Sequence, residues 1–185
     1  MTIEVTAGTC LVETGRLSLR HFTPDDADFI HELLSEPGWL RFIGDRGVDS
    51  RETALAFIRD KLVPAYRSRG LGFLAVERRS DGERVGMCGL VKRDWLEDAD
   101  LGYALLARHE GYGYAIEAAR GVLQHARERC GLSRLAAIVD PDNTRSRLLL
   151  ERLGFERDGE VTPPDEAVPL CLYRFALGPS ATTGD

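Results

Sequence analysis

Two glycines separated by one residue, Gly111 and Gly113, stand between an apolar segment and an amphipathic one. The apolar segment, residues 101–106, has the length of a strand, and residues 112–126 carry an apolar stripe at helical spacing. A turn between such elements leaves the first N–H groups of the helix without intrahelical partners, and such groups bind phosphate. Residues 108–115 therefore predict a phosphate-binding loop. A turn that needs glycine only for its backbone angles fits the same residues.

A dinucleotide-binding loop is a further chemistry that two such glycines suggest. Its pattern, Gly-x-Gly-x-x-Gly, requires a third glycine, and this chain has Ile116 at that position. The pattern therefore weighs against a nicotinamide-binding enzyme.

A second polar block follows the two glycines by some thirty residues. Asn143 and Ser146 stand three residues apart, and a short apolar segment leads from them to Gly154 and Phe155. Asn143 suits the N-cap of a helix, and Gly154 suits the position just after its end. A serine in the first turn is equally ordinary, so these residues have a structural interpretation as well as a chemical one.

Taken together, the two blocks resemble a known family. Arg108, Gly111 and Gly113 match the pattern Arg/Gln-x-x-Gly-x-Gly/Ala, which resembles the pyrophosphate-binding loop of the GNAT superfamily of N-acetyltransferases. Asn-x-x-Ser followed by a short helix and Gly-Phe resembles the RimJ/RimL branch of that superfamily. Residues 17–20 and 23–26 resemble the opening strand and first helix of the branch, so the resemblance covers residues 17–175.

The resemblance implies an α/β fold, a single GNAT-like domain. Its mixed central sheet has about six to seven strands flanked by about four helices, with splayed fourth and fifth strands. It also implies acetyl-CoA as co-substrate and no metal, with the pantetheine arm between the splayed strands and the pyrophosphate on residues 108–115. The implied donor-binding residues are Tyr103, Ala104, Leu105, Leu106, Arg108, His109, Glu110, Gly111, Tyr112, Gly113, Tyr114, Ala115, Asn143, Ser146 and Arg152.

Transfer of an acetyl group to an amine requires a neutral amine and a proton for the departing thiolate. Asp100 stands where many family members carry an acidic residue that draws the amine proton through water, although a solvated acidic turn fits it too. Ser146 is the expected proton donor, and Asn143 is expected to orient the donor or an ordered water. We expect the amine to attack the thioester directly in a ternary complex, since the two can be held together and no cysteine shows an evident base.

The chain departs from the family pattern at three positions. Many members place a tyrosine acid where this chain has Leu150, so a tyrosine at that position is excluded. Glu110 stands where members of this branch often have tryptophan, and Tyr112 where lysine or arginine is usual. Because the loop loses a cation, we expect slightly weaker donor binding, with Arg108, Arg145 and Arg152 as the remaining phosphate partners.

Composition excludes several classes of function. The 185 residues are 43% hydrophobic and 29% charged, which is typical of one ordinary globular domain. The formal charge of −6 argues against nucleic acid as a partner and is compatible with a cationic amine. The four cysteines show no zinc spacing, so free thiols in the cytoplasm are expected. The N-terminus lacks a signal-peptide pattern, and no stretch predicts a membrane span.

Residue patterns predict the elements that hold these groups. Strands are expected at residues 15–22, 72–78, 84–92, 101–106, 135–139, 155–158 and 170–175. Helices are expected to begin at Thr23, Ser50, Tyr112 and Asn143, and Pro37-Gly38 is expected to end the first of them before a loop. The predicted boundaries are an N-terminal extension at 1–14, an acetyltransferase domain at 15–178 and a disordered tail at 179–185.

The acceptor is expected to lie among residues 35–49, 91–100 and 160–168, since loops vary while a sheet holds the donor. The carboxylates in these segments favour a cationic amine: Glu97, Asp98, Asp100, Asp165 and Glu166. We favour a protein or peptide N-terminal α-amine as acceptor. A small amine, an aminoglycoside-type antibiotic and a non-catalytic acyl-CoA-binding module are the alternatives, and the protein is expected to be a monomer or homodimer.

Overall fold

One mixed sheet forms the centre of the computed structural model, which describes residues 8, 10–69, 71–164 and 166–178. Within these residues the sheet has eight strands: β1 (Cys10–Glu13), β2 (Leu17–Arg20), β3 (Phe73–Arg78), β4 (Arg84–Val91), β5 (Asp100–Leu105), β6 (Arg134–Val139), β7 (Glu156–Val161) and β8 (Leu170–Ala176). Their order is β1-β2-β3-β4-β5-β6-β8-β7.

Helices cover both faces of this sheet. They are α1 (Ala27–Ser35), α2 (Pro37–Phe42), α3 (Arg51–Phe57), α4 (Val63–Arg69), α5 (Tyr114–Glu128) and α6 (Thr144–Leu153). A π-helical turn, Ile58–Leu62, joins α3 to α4, and short 3₁₀ turns occupy Pro24–Asp26 and Ala107–His109. The α/β architecture predicted from the sequence is confirmed.

Alternation along the central strands divides the core into two layers. Val76 and Cys88 pack into the layer that α5 and α6 cover, whereas their neighbours Ala75 and Met87 pack into the layer beneath α1 and α3. Successive side chains of a strand point to opposite faces, so β3 and β4 must be apolar on both. Six consecutive residues of β4 are accordingly buried.

The splay between β5 and β6 is the feature that positions the site. These strands are the one parallel pair among the described strands, and they are matched at a single position, Asp100 with Ala136. The adjacent bond from the Ala136 N–H to the Ala99 carbonyl measures 2.8 Å. Beyond this point β5 bonds to β4 on one side only. The predicted splay of the fourth and fifth strands, which are β5 and β6 in the complete sheet, is confirmed.

Two elements differ from the sequence prediction. Cys10–Glu13, assigned to an N-terminal extension, forms β1 and pairs with β2, because Val12 buries its side chain in the core. Pro37-Gly38 was expected to open a loop but begins α2, since proline at the first position of a helix needs no N–H donor. The expected tail, residues 179–185, lies outside the described residues, as do residues 1–7 and 9.

Candidate functional site

The glycine loop has the backbone geometry of an anion-binding site. Gly111 and Gly113 adopt φ of 84° and 79°, a region that residues with a side chain rarely occupy. Gly113 is the N-cap of α5, and the bond from the Glu117 N–H to the Gly113 carbonyl, 3.2 Å, is at the start of the helix. The preceding N–H groups have no intrahelical acceptor and carry the positive end of the helix dipole.

Three guanidinium groups surround this loop, each already engaged by a carboxylate. Arg108 bonds Glu32, and Arg145 lies 2.5 Å from Glu110. Arg16 donates to the Tyr112 carbonyl at 3.0 Å and also pairs with a carboxylate of α5. These cations balance the carboxylates, so the backbone N–H groups are the free donors that the loop offers an anion.

The remaining loop residues take different positions. His109 is buried, and its Nε2 is engaged by a carboxylate oxygen of Glu83 at 2.9 Å. Tyr114 is buried under the Arg16 guanidinium, whereas Tyr112 is exposed. Arg152 lies in the last turn of α6, about 10 Å along the helix axis from Arg145, so the structure does not bring it to the loop.

A cleft leads from this loop along the free side of β5. Tyr103, Ala104 and Leu105 are half-buried, and Leu106 is buried with its N–H donated to the Val85 carbonyl at 3.0 Å. The backbone groups of 102–105 that face β6 lack a partner strand, because pairing with β6 is confined to the Asp100 position. Such groups require partners when they are shielded from water. The cleft can therefore accept an extended polar chain.

A cavity of about 620 Å³ opens at the other end of the cleft. It is bounded by α2 and residues 43–46, by the splayed ends of β5 and β6, and by residues 163–170. All three segments that were expected to shape the acceptor side contribute to its wall. Asp100, Asn143 and Ser146 line it together, so the structure brings the three predicted catalytic residues into one space.

Asp100 is a buried carboxylate, 3% exposed, whose Oδ2 lies 2.6 Å from Nε of Arg93. Burial raises the pKa of Asp100 above its usual range, and the nearby Arg93 guanidinium opposes that rise. A carboxyl group of raised pKa is a better proton acceptor for an amine than a solvated one. Arg93 was missed in the sequence because nothing in its own neighbourhood marks it.

Glu97 and Asp98 were expected on the acceptor side beside Asp100, and the structure does not bring them there. Glu97 lies 2.9 Å from Arg134, and Asp98 lies 2.6 Å from Arg174. Arg134 lies on β6 and Arg174 on β8, so both carboxylates pair with side chains of these two strands, and neither lines the cavity. Asp165 lies outside the described residues.

Ser146 and Asn143 form the start of α6. The side-chain oxygen of Asn143 accepts the Ser146 N–H at 3.1 Å, so Asn143 caps the helix as its residue type predicts. The Ser146 hydroxyl lies 2.8 Å from the Tyr103 hydroxyl, which faces it across the splay. Leu150, at the position of the missing tyrosine, is 1% exposed and contributes an apolar side chain to the cavity wall.

Residues 16–156 match the family described as the acetyltransferase (GNAT) domain. The chain belongs to this family. It is 32% identical over 152 residues to the uncharacterized N-acetyltransferase YoaA of Bacillus subtilis (strain 168), covering 80% of this chain and 84% of that protein.

Solved structures show the same fold. An acetyltransferase from Agrobacterium tumefaciens str. C58 is 26% identical, with a TM-score of 0.75 over 92% of this chain and 95% of that one. RimL, a ribosomal L7/L12 α-N-protein acetyltransferase in complex with coenzyme A, is 17% identical, with a TM-score of 0.75 over 91% of this chain and 98% of its own.

The acetyltransferase is thus an acetyl-CoA-dependent acyltransferase, and its residues fit that donor. The loop offers backbone N–H groups to a diphosphate, and a side chain built on Gly111 would meet no atom within 4 Å, so the space above it is open. Among the described residues no cluster of three or more potential metal ligands occurs, and no helix has the length and apolar character to cross a bilayer.

Proposed function

We propose that this acetyltransferase moves the acetyl group of acetyl-CoA to a primary amine by direct attack in a ternary complex. The observation that carries the proposal is that the β5–β6 cleft meets the cavity where Asp100 and Ser146 both line the wall. A donor seated on residues 108–115 and running along the cleft brings its thioester to this junction. An amine in the cavity then faces the thioester from the other side.

Each residue at the junction has a role that its surroundings support. Asp100 takes the proton of the amine, through water, because burial has raised its pKa. A backbone N–H of residues 103–105 polarises the thioester carbonyl, an interaction worth roughly 3 kcal/mol in enzymes where it has been removed. Ser146 protonates the departing thiolate, and Asn143 holds the helix turn that carries Ser146.

The cysteines support direct transfer over a covalent enzyme intermediate. Cys88 and Cys171 are buried, and burial raises the pKa of the Cys88 thiol to about 12. Neither residue lines the cavity. A thiol of such high pKa is hardly ionised near neutrality and is a poor nucleophile there.

A protein or peptide N-terminal α-amine is the acceptor that we favour. Among the described residues, the cavity wall carries charges of both signs, three arginines (Arg41, Arg46 and Arg93) and four carboxylates (Asp45, Asp100, Asp140 and Glu166). An N-terminus brings a single positive charge to this mixed wall, whereas aminoglycosides and polyamines would bring several positive charges close to the arginines. RimL, which shares the fold, acts on an α-amine of L7/L12.

The proposal includes a cytoplasmic location and a monomeric or homodimeric state. All four cysteines are free, as expected where thiols are kept reduced. Small-amine and antibiotic acceptors remain the second class, since Asp45 and Glu166 also line the cavity.

Two measurements test the proposal. Thermal unfolding with acetyl-CoA and with NAD compares donor classes, since a ligand at a hundredfold its Kd stabilises by roughly 2.7 kcal/mol. We expect stabilisation by acetyl-CoA alone. Thiol release is then measured with N-terminal peptides, polyamines and aminoglycosides. Binding without turnover of any amine would leave a non-catalytic acyl-CoA-binding module, and turnover of aminoglycosides alone would overturn the acceptor assignment.

A further inference from the structure

A tyrosine and a serine form a polar pair where the cleft meets the cavity. The hydroxyl oxygens of Tyr103 and Ser146 lie 2.8 Å apart, and the Tyr103 oxygen also lies 3.1 Å from the carbonyl oxygen of Ser146. Both residues line the cavity. Because Tyr103 lies on β5 and Ser146 in the first turn of α6, the pair spans the gap that the separating strands leave.

The direction of the bond between the two hydroxyls determines what Ser146 can do. The single phenol hydrogen can be donated to the Ser146 hydroxyl oxygen at 2.8 Å or to the Ser146 carbonyl oxygen at 3.1 Å. When it goes to the closer hydroxyl oxygen, the serine hydrogen is free to point at another acceptor in the cavity. Burial raises the pKa of the Tyr103 phenol, so it keeps its proton and remains a donor at physiological pH. Asn143 holds the backbone of Ser146 at 3.1 Å, which limits how far the serine can move.

We propose that Tyr103 is a positioning residue that aims the Ser146 hydroxyl at the departing sulfur. This inference rests on the proposed function. The amine nitrogen forms the new bond to the acetyl carbon, and the carbon–sulfur bond breaks with its electron pair on sulfur. Sulfur takes the Ser146 proton, and the serine oxygen regains a proton from water in the cavity while Tyr103 keeps its own. The nitrogen loses its extra protons to Asp100 and solvent.

The neighbouring side chains explain why the phenol comes from β5. Leu150 occupies the inward face of α6 and is buried in the core, so that position provides no hydroxyl. Tyr173, on β8, has its hydroxyl 3.4 Å from side chains of Arg147 and Glu151 and does not line the cavity. Among the described residues, Tyr103 is the tyrosine whose hydroxyl contacts Ser146.

Tyr103→Phe removes the phenol oxygen and tests whether it positions Ser146. We expect kcat to fall about 10-fold, because Ser146 loses the hydrogen bond that orients it, while KM for acetyl-CoA changes less than about twofold. The double variant Tyr103→Phe/Ser146→Ala should match Ser146→Ala in kcat, because the phenol acts through the serine. Tyr173→Phe makes the same chemical change outside the cavity and should keep wild-type kcat.

Three outcomes would overturn the inference. Tyr103→Phe with wild-type kcat would remove the phenol from the reaction. A double variant whose loss equals the product of the two single losses would show that Tyr103 acts independently of Ser146. A wild-type protein that binds CoA by calorimetry but releases no thiol with any amine would disprove the proposed function together with the role of Tyr103. Calorimetric CoA affinity and thermal unfolding of each variant separate these outcomes from misfolding.

Discussion

Asp100 and Arg93 form an ion pair that contains the proposed base of the reaction. The carboxylate is almost fully buried, and the guanidinium lines the same cavity. Arg93 therefore opposes the rise in the pKa of Asp100 that burial causes. Arg93 Nε lies 2.6 Å from the Asp100 carboxylate. The pH dependence of the reaction should therefore change when Arg93 is replaced.

Arg93→Met removes the cation and should move the acidic limb of the kcat/KM profile to higher pH. Burial raises the pKa of Asp100 and Arg93 opposes the rise, so without Arg93 the pKa rises further and less carboxylate is ionised at pH 6. Activity should thus fall more at pH 6 than at pH 8.5. Arg134→Met, which removes a partner of Glu97 outside the cavity, is the control. A profile shifted to lower pH would contradict the assignment of Asp100.

Ser146→Ala and Asp100→Asn separate chemistry from donor binding. Each should lower kcat by about 10²-fold or more, since a positioned acid or base contributes about that much, with little change in acetyl-CoA affinity. Steady-state kinetics and calorimetry measure the two quantities. Full turnover in both variants would disprove the roles while leaving the fold intact.

Residues that belong to a local sequence pattern were predictable, whereas those that act across the fold were not. Asp100, Asn143 and Ser146 could be placed because each lies at a fixed offset in a motif. Arg16, about a hundred residues from the loop it contacts, has no such offset. The Tyr103 phenol was likewise overlooked, because a tyrosine in a strand ordinarily indicates packing.

At the scale of elements, the start of α5 combines backbone strain with ligand binding. Gly113→Val forces a branched side chain to φ near 79°, which costs roughly 1–2 kcal/mol of stability, and it crowds the N–H groups of the loop. We expect acetyl-CoA affinity to fall at least ~10-fold, or about 1.4 kcal/mol. Isothermal titration calorimetry measures this directly.

Gly131→Val is the matched control, since Gly131 has φ of 64° in the turn after the other end of α5. It should lose similar stability and retain affinity. Equal acetyl-CoA affinity in the Gly113 and Gly131 variants would show that the loop does not bind the donor.

The long periodic elements were predictable, and the short ones were not. The pattern of α5 extends over 15 residues, so its apolar stripe stands out, whereas β1 has four residues and one buried side chain. The Pro37-Gly38 pair indicates the end of a helix, but a short helix forms there because Trp39 packs into the core. The Nε1 of Trp39 also donates to the Gly44 carbonyl at 3.1 Å.

At the scale of the whole molecule, Asp26 ties β2, α1 and β4 together. Its fully buried carboxylate accepts two bonds from Arg20, at 2.8 and 2.9 Å, and one from Arg84 at 2.5 Å. Burial alone would raise the pKa of Asp26, but these bonds and the Thr23 N–H outweigh it and lower the pKa. A lowered folded-state pKa stabilises the protein above the ordinary aspartate pKa, and this stability is lost as pH falls through the folded value.

Asp26→Ala should lower the free energy of unfolding by about 3 kcal/mol, because it leaves the Arg20 and Arg84 guanidinium groups without their buried partner. Asp28→Ala breaks the exposed pair with Arg51, whose atoms lie 3.2 Å apart, and should cost about 0.5 kcal/mol or less. Urea unfolding at pH 7 measures both. The difference between the variants should shrink in acid, and a difference that grew as pH fell would contradict the role of the ionised carboxylate.

The single matched position between β5 and β6 has a consequence for cohesion. Strands β6, β8 and β7 join the other five through that one place in the hydrogen-bonded ladder, so the sheet is nearly two sheets. A donor lying in the cleft would bond to both β5 and β6 and so hold the two parts of the sheet together. Amide hydrogens flanking the gap should exchange quickly in the free protein and slow together when acetyl-CoA binds, as the two halves become one cooperative unit.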